Sequence, residues 1–179
     1  MTVFRKRKDL LFLVFICLTT AGNICSQQQI PADWKEFNFI IGEWIGEGGG
    51  APGEAVGSST FYFDLQKTVL IRKSFADYPA ANNNPAFRHD DLMIIYREGK
   101  FIKAIYFDNE RHVINYSASL SEDLKTITFV SDINPAAPRF RLIYTKRDEN
   151  TMSISFEFAP PGKPDEFSKY LDGVVKKKI

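Results

Sequence analysis

The chain has 179 residues, 44% of them hydrophobic, and carries 23 lysines and arginines against 22 aspartates and glutamates, a net charge of +1. That balance offers no basic face of the kind nucleic-acid binding requires, so nucleic acid is excluded as a partner. Two cysteines in the whole sequence supply no disulfide framework.

Residues 1–26 have the layout of a secretory signal peptide. Arg5, Lys6, Arg7 and Lys8 form a basic start, residues 10–18 (LLFLVFICL) an apolar stretch, and small and polar residues lead to Ser26. The stretch is too short to span a bilayer comfortably. Export is therefore expected, to a periplasm or the exterior, with residues 27–179 as one mature domain not stably inserted in a membrane. A lipid anchor on Cys25 would normally follow a small residue, and Ile24 is large. Without the leader, 19 basic and 21 acidic residues give a net charge of −2. Cys17 and Cys25 leave with it or lie at its edge, which removes thiol catalysis and thiolate metal sites. About 150 residues bury roughly 68–70% of their unfolded surface, enough for a core without disulfides.

Pro31 to Phe37 reads as one helical turn, with Pro31 early and Asp33 near its start. Runs rich in Val, Ile, Phe, Tyr and Thr then predict strands over 38–47, 57–65, 67–76, 91–97, 100–108, 111–120, 124–131, 138–147, 151–159 and 166–176. Short polar connectors such as Glu98-Gly99 and Ser121-Glu122-Asp123 join neighbours as antiparallel hairpins, and no helical crossover is visible. A meander of about ten strands has two exposed edges unless it closes on itself. The expected fold is all-β: a single antiparallel up-and-down barrel. Alternation agrees, since Met152, Ile154, Phe156 and Phe158 share one face and Ser153, Ser155 and Glu157 the other. Two connections are longer. Residues 48–56 are glycine-rich without a phosphate-cradling pattern. Residues 77–90 (DYPAANNNPAFRHD) read as a loop able to cover one mouth of the barrel.

The most informative segment is the first strand, where Gly42, Trp44, Gly46 and Gly48 fall at every second position. One strand face thus carries a single indole in a row of glycines, which mark sharp bending or close approach. Trp44 is expected to plug the narrow end of the barrel, its edge forming the floor of a ligand cavity. Barrels of eight or more strands can hold a ligand in the lumen. Tyr106 and Tyr116 supply apolar wall with a polar tip. Arg72 and Arg141 interrupt apolar strands; one that points inward needs a paired charge or a ligand acid. His112 shares a strand face with Ile114, Tyr116 and Ala118 and joins the ligand-binding candidates. His89, at the end of the long loop, reads as solvated, and the three lysines at 176–178 as a solvated charge run.

No Gly-x-Ser-x-Gly elbow, His-Glu-x-x-His pair or cysteine nucleophile supports catalysis, and no catalytic residue is assigned. The enzymatic alternative would use His112 as acid–base with Tyr106 or Tyr116 in the same cavity. An interaction protein would instead expose apolar residues of 77–90, such as Tyr78 and Phe87.

With Gly42-x-Trp44-x-Gly46-x-Gly48 ahead of a ten-strand meander, the chain resembles the calycin superfamily, and within it the nitrobindin-like barrels and the related DUF1579-type proteins. The resemblance implies a lipocalin-like barrel whose Gly-x-Trp tryptophan packs at the closed end, and a tendency to bind small molecules. Nitrobindins hold haem through a histidine near the C-terminus. This chain has none after His112, so the proximal ligand has no matching position and haem is disfavoured, a haem-binding nitrobindin-like barrel standing as the alternative; no metal or other cofactor is expected. The expected partner is a small apolar or amphipathic ligand.

Overall fold

A computed structural model describes residues 33–46, 56–80 and 85–179. The signal segment, the start of the helical turn at Pro31, Gly48 and most of the 48–56 connection lie outside the described residues. Ten strands follow in chain order: β1 (Gly42–Gly46), β2 (Val56–Asp64), β3 (Val69–Tyr78), β4 (Phe87–Glu98), β5 (Phe101–Asp108), β6 (Val113–Leu120), β7 (Thr126–Ser131), β8 (Arg139–Lys146), β9 (Thr151–Ala159) and β10 (Ser168–Lys177). Each pairs antiparallel with its neighbours in sequence, and β1 returns to pair with β10, which closes the barrel. The hairpin connectors thus produce the expected all-β architecture. Among the described residues no helix is long and apolar enough to cross a membrane.

Side chains alternate between a core face and an outer face along every strand. The inner set includes Trp44, Phe61, Leu70, Met93, Ile95, Ile127, Phe129, Tyr144 and Met152, each no more than 1% exposed. These residues sit toward one end, and a short 3-10 helix, Lys35–Ile40, closes that end. The expected first strand began at residue 38, but Asn38–Ile40 continue this helix. In a 3-10 turn residues three apart eclipse one another, so Phe37 and Ile40 face the core together, both fully buried. Trp34 Nε1 donates to Lys67 O at 2.8 Å and the ring meets Phe37 edge-on at 5.3 Å. Trp44 Nε1 donates to Ile40 O at 2.7 Å, so the indole fills the closed end with its one polar atom satisfied.

The reading of 77–90 as a loop needs correction. β3 runs to Tyr78 and β4 starts at Phe87, and the two strands pair from Val69↔Tyr96 out to Tyr78↔Phe87. His89, Asp90 and Asp91 are therefore strand residues. Polar side chains along both faces hid the period-two pattern that Met93 and Ile95 continue.

The lysine run is also built into the structure. Lys177 pairs with Trp44 across the β1–β10 seam, with its Nζ 5.5 Å from the centre of the Trp44 ring. Lys178 N donates to Glu43 O at 2.8 Å, and its Nζ meets Glu43 Oε1 at 3.0 Å. Gly42, at φ +121°, bends the strand where a Cβ would press within 2.9 Å of Lys177 Cε.

Gly57, opposite Ala76 in the β2–β3 ladder, has the tightest backbone contact: a Cβ there would lie 2.2 Å from Phe75 O. Gly57→Ala is expected to force the two strands apart and cost about 1–3 kcal/mol, the usual range for overpacking. Urea unfolding reads the change, and an unaltered midpoint would show that this end of β2 shifts freely.

Candidate functional site in the barrel lumen

Above the closed end, the inner face changes character. An aromatic layer comes first: Phe61 and Phe129 meet Tyr144 edge-on at 5.5 and 6.2 Å, and Tyr116 meets Phe129 at 6.4 Å. Over it lies Arg72 of β3, its guanidinium 6.0 Å from the Tyr144 ring centre. The Arg72 side chain is 10% exposed and its ion-pair partner, Asp91 of β4, 4%. Nη2 donates to Asp91 Oδ2 at 2.8 Å, the one hydrogen bond of the guanidinium among the described residues. Arg72 Nε and Asp91 Oδ1 are buried with no hydrogen-bond partner among those residues. Burial works against the charge on Arg72, but Asp91 and the neighbouring tyrosines outweigh it and hold the guanidinium above its ordinary value. Burial in turn raises the phenols of Tyr106 and Tyr116 and pushes Tyr144 to about 12, so all three are neutral hydrogen-bonding groups at physiological pH.

Farther along, a polar cluster occupies one wall. Tyr106 Oη stands 3.0 Å from His89 Nε2 and donates to Asp108 Oδ2 at 3.3 Å. His89 Nδ1 faces Glu110 Oε1 at 2.8 Å, and His112 Nδ1 faces Asp108 Oδ2 at 2.8 Å. The β5–β6 turn sets this arrangement. Asp108 Oδ1 accepts from the backbone N–H of Glu110 and of His112, both at 2.9 Å, with Arg111 in the left-handed region at φ 75°. Burial raises the Asp108 carboxyl, yet the hydrogen bonds and charge from His112 and the Glu110 N–H hold it below the usual carboxylate range.

The opposite wall is apolar. Phe140 and Phe156 stack at 5.7 Å, and Tyr170 meets Phe156 and Phe158 edge-on at 6.1 and 6.2 Å. Tyr106, Ile114, Phe140, Ile154 and Phe156 face inward but are only half-buried, unlike the residues around Trp44. In this half of the lumen the inward side chains keep part of their surface accessible.

Of the residues marked from sequence, Trp44, Arg72, Tyr106 and Tyr116 thus share the lumen. Arg141 does not: it lies on the outer face between inward Phe140 and Leu142, paired with Glu157 and lying over the Phe167 ring at 4.2 Å. His112 sits at the rim, 61% exposed, and reaches Tyr106 only through Asp108. The imidazole in contact with Tyr106 is that of His89, which sequence reading left in a loop. Extending the alternation of Met93 and Ile95 back through Asp91 and His89 would have found it. Tyr78 and Phe87 stack on each other at 6.3 Å at the end of the β3–β4 hairpin. A broad open groove of about 520 Å³ lies outside the barrel over β2–β5, lined by Thr60, Lys73, Phe75, Asp90, Leu92 and Phe107 among others. The convergent polar groups lie inside the barrel, so we place the candidate site there.

No protein-family model matches the chain, and no curated protein matches it in sequence.

Proposed function

We propose that this protein is an exported, calycin-type small-molecule carrier of the nitrobindin-like kind, holding a mostly apolar ligand in the barrel lumen. The observation that carries the reading is the buried Arg72, which uses one of its donors on Asp91 and lies beneath a half-buried, aromatic-lined space. A guanidinium has five N–H donors, and leaving buried donors unmade costs about 1–3 kcal/mol each. An acceptor group at the end of an apolar molecule would answer them, while Phe140, Phe156 and Ile154 cover the body. Apolar walls with a few orienting polar groups are the usual composition of small-molecule pockets.

The experiment is displacement of an environment-sensitive fluorophore from the purified protein by matched chains ending in carboxylate, amide or methyl. The acceptor-ended chains are expected to bind at least about tenfold more tightly than the hydrocarbon, the equivalent of one hydrogen bond of about 1.4 kcal/mol. Equal affinities, or no displacement at all, would refute the assignment. Haem in the same assay is expected to give no saturable Soret shift, because a stable site normally needs an axial ligand such as a proximal histidine. His89 lies on β4 and His112 at the exposed rim, neither at the C-terminal position from which the resemblance would have a histidine reach haem.

A further inference from the structure

We propose that the cluster on the polar wall is a binding site for a divalent transition-metal ion, with His89, Asp108 and Glu110 as ligands and zinc as the fitting ion. Ligand atoms of these three residues lie within 4.8 Å of one another. They come from β4, the end of β5 and the β5–β6 turn, so they converge from separate backbone positions. In a tetrahedral site with ligand bonds of 2.0–2.2 Å, donor atoms are about 3.3 Å apart. His89 Nδ1 and Glu110 Oε1 already stand 2.8 Å apart, and the Glu110 side chain, 46% exposed, is free to adjust.

Three independent features point to a cation. The first is hydrogen-bond direction. Tyr106 Oη has one proton to give and stands 3.3 Å from Asp108 Oδ2 and 3.0 Å from His89 Nε2. In the tautomer where that proton goes to Asp108 and His89 Nε2–H donates to Tyr106, His89 Nδ1 turns a lone pair on Glu110 Oε1 at 2.8 Å, a pair that a metal ion would bridge; in the other, Nδ1–H donates to Glu110. The second is charge. Asp91 and Asp108 stand directly opposite on β4 and β5, both facing inward with side chains 4% and 3% exposed. Like charges directly opposite in a ladder are destabilising. Arg72 answers Asp91, whereas the ion-pair partners of Asp108 and Glu110 among the described residues are the imidazoles of His112 and His89. The third is the buried Asp91 Oδ1, which has no hydrogen-bond partner among the described residues, on a carboxylate whose other oxygen lies 3.7 Å from His89 Nε2.

The surroundings also resemble the outer support of a metal site. Ligating histidines usually give their second ring N–H to an oxygen that fixes the tautomer, and Tyr106 Oη occupies that place for His89. Asp108 is held by two backbone N–H groups on Oδ1, so Oδ2, which also meets Tyr106 Oη at 3.3 Å and His112 Nδ1 at 2.8 Å, would be the ligating oxygen. His112 itself stands outside the group of three converging ligands. Imidazole with carboxylate suits zinc and its neighbours in the first transition row rather than magnesium or calcium, which prefer all-oxygen sites.

Isothermal titration of the untagged, chelator-treated full-length chain with zinc chloride tests the proposal independently of any lumen ligand. One zinc per chain is expected, with no uptake of magnesium at the same concentrations. His89→Ala and Glu110→Gln should each weaken zinc binding at least about tenfold, and Tyr106→Phe, which keeps every ligand, by about 10–100-fold. Glu110 is an exposed turn residue, so its variant keeps the test valid even where an inner-face substitution fails to fold. No saturable zinc binding below about 1 mM would overturn the site, as would wild-type affinity in either His89→Ala or Glu110→Gln. In the first case a proton, not a metal, bridges His89 and Glu110.

Discussion

Arg72→Met is expected to destabilise the barrel by about 3–5 kcal/mol, because it leaves the Asp91 charge buried without its partner. The two side chains are 10% and 4% exposed, and Asp91 has no other hydrogen bond to share the loss. The informative comparison is the double substitution Arg72→Met/Asp91→Leu. Removing both charges together discards the desolvation cost along with the attraction, and apolar replacements of buried pairs are often neutral or stabilising by about 1–4 kcal/mol. The double variant should therefore regain most of the stability lost in the single one. Guanidinium unfolding of the three proteins measures both numbers. If the double variant is as unstable as the single, the pair is a structural keystone and its place in ligand binding loses its support. If it is stable but no longer prefers acceptor-ended chains, the charges are present for the ligand and not for the fold.

Trp44→Ala is expected to cost about 3–5 kcal/mol, the range for truncating a large buried aromatic. Stability of a typical domain is about 5–15 kcal/mol in all. The indole is 1% exposed, its Nε1 satisfies the Ile40 carbonyl at the end of the 3-10 helix, and Lys177 lies over its ring. Its loss would open a cavity at the closed end, leave the Ile40 carbonyl without its indole donor and take the ring from beneath Lys177. Trp44→Phe separates these contributions: it keeps most of the volume and loses the hydrogen bond, so it should cost about 1–3 kcal/mol. Denaturant midpoints decide the matter, and a loss below about 1 kcal/mol for the alanine variant would mean the indole is not the plug.

The fold was legible because a barrel writes itself in alternation and short connectors. Met152, Ile154 and Phe156 against Ser153, Ser155 and Glu157 is a pattern only a two-faced strand produces, and hairpin-length turns leave no other pairing. The site was harder to read, for a physical reason. Alternation finds strands by contrast between apolar and polar residues, and a strand whose inner face is polar loses that contrast. His89 faces inward between Arg88 and Asp90, so the stretch before Asp91, where the expected strand began, resembled solvent-exposed loop. Arg72 stood out because its neighbours Leu70 and Ile71 are apolar. Arg141 stood out equally, yet the phase of β8 turns it outward to Glu157; which side of a sheet is the lumen depends on partners far away in the chain. The lysines at the C-terminal end lacked any local signal, since their partners Trp44 and Glu43 lie at the opposite end of the sequence.

That last pairing bears on how the molecule comes into being. Nine of the ten strand contacts in the ring join consecutive segments and can form as the chain emerges. The tenth joins Trp44–Gly46 to Val175–Lys177 through three residue pairs, and the Glu43–Lys178 clasp beside it spans 135 positions. The entropy of closing so large a ring grows only slowly with its length, roughly as (3/2)RT ln n, so the constraint is one of order and not of energy. The interior stays an open, curled sheet until the final strand is delivered. If the chain is exported as proposed, threading a membrane pore unfolded, such a schedule keeps it from locking into its finished form while its tail is still on the wrong side.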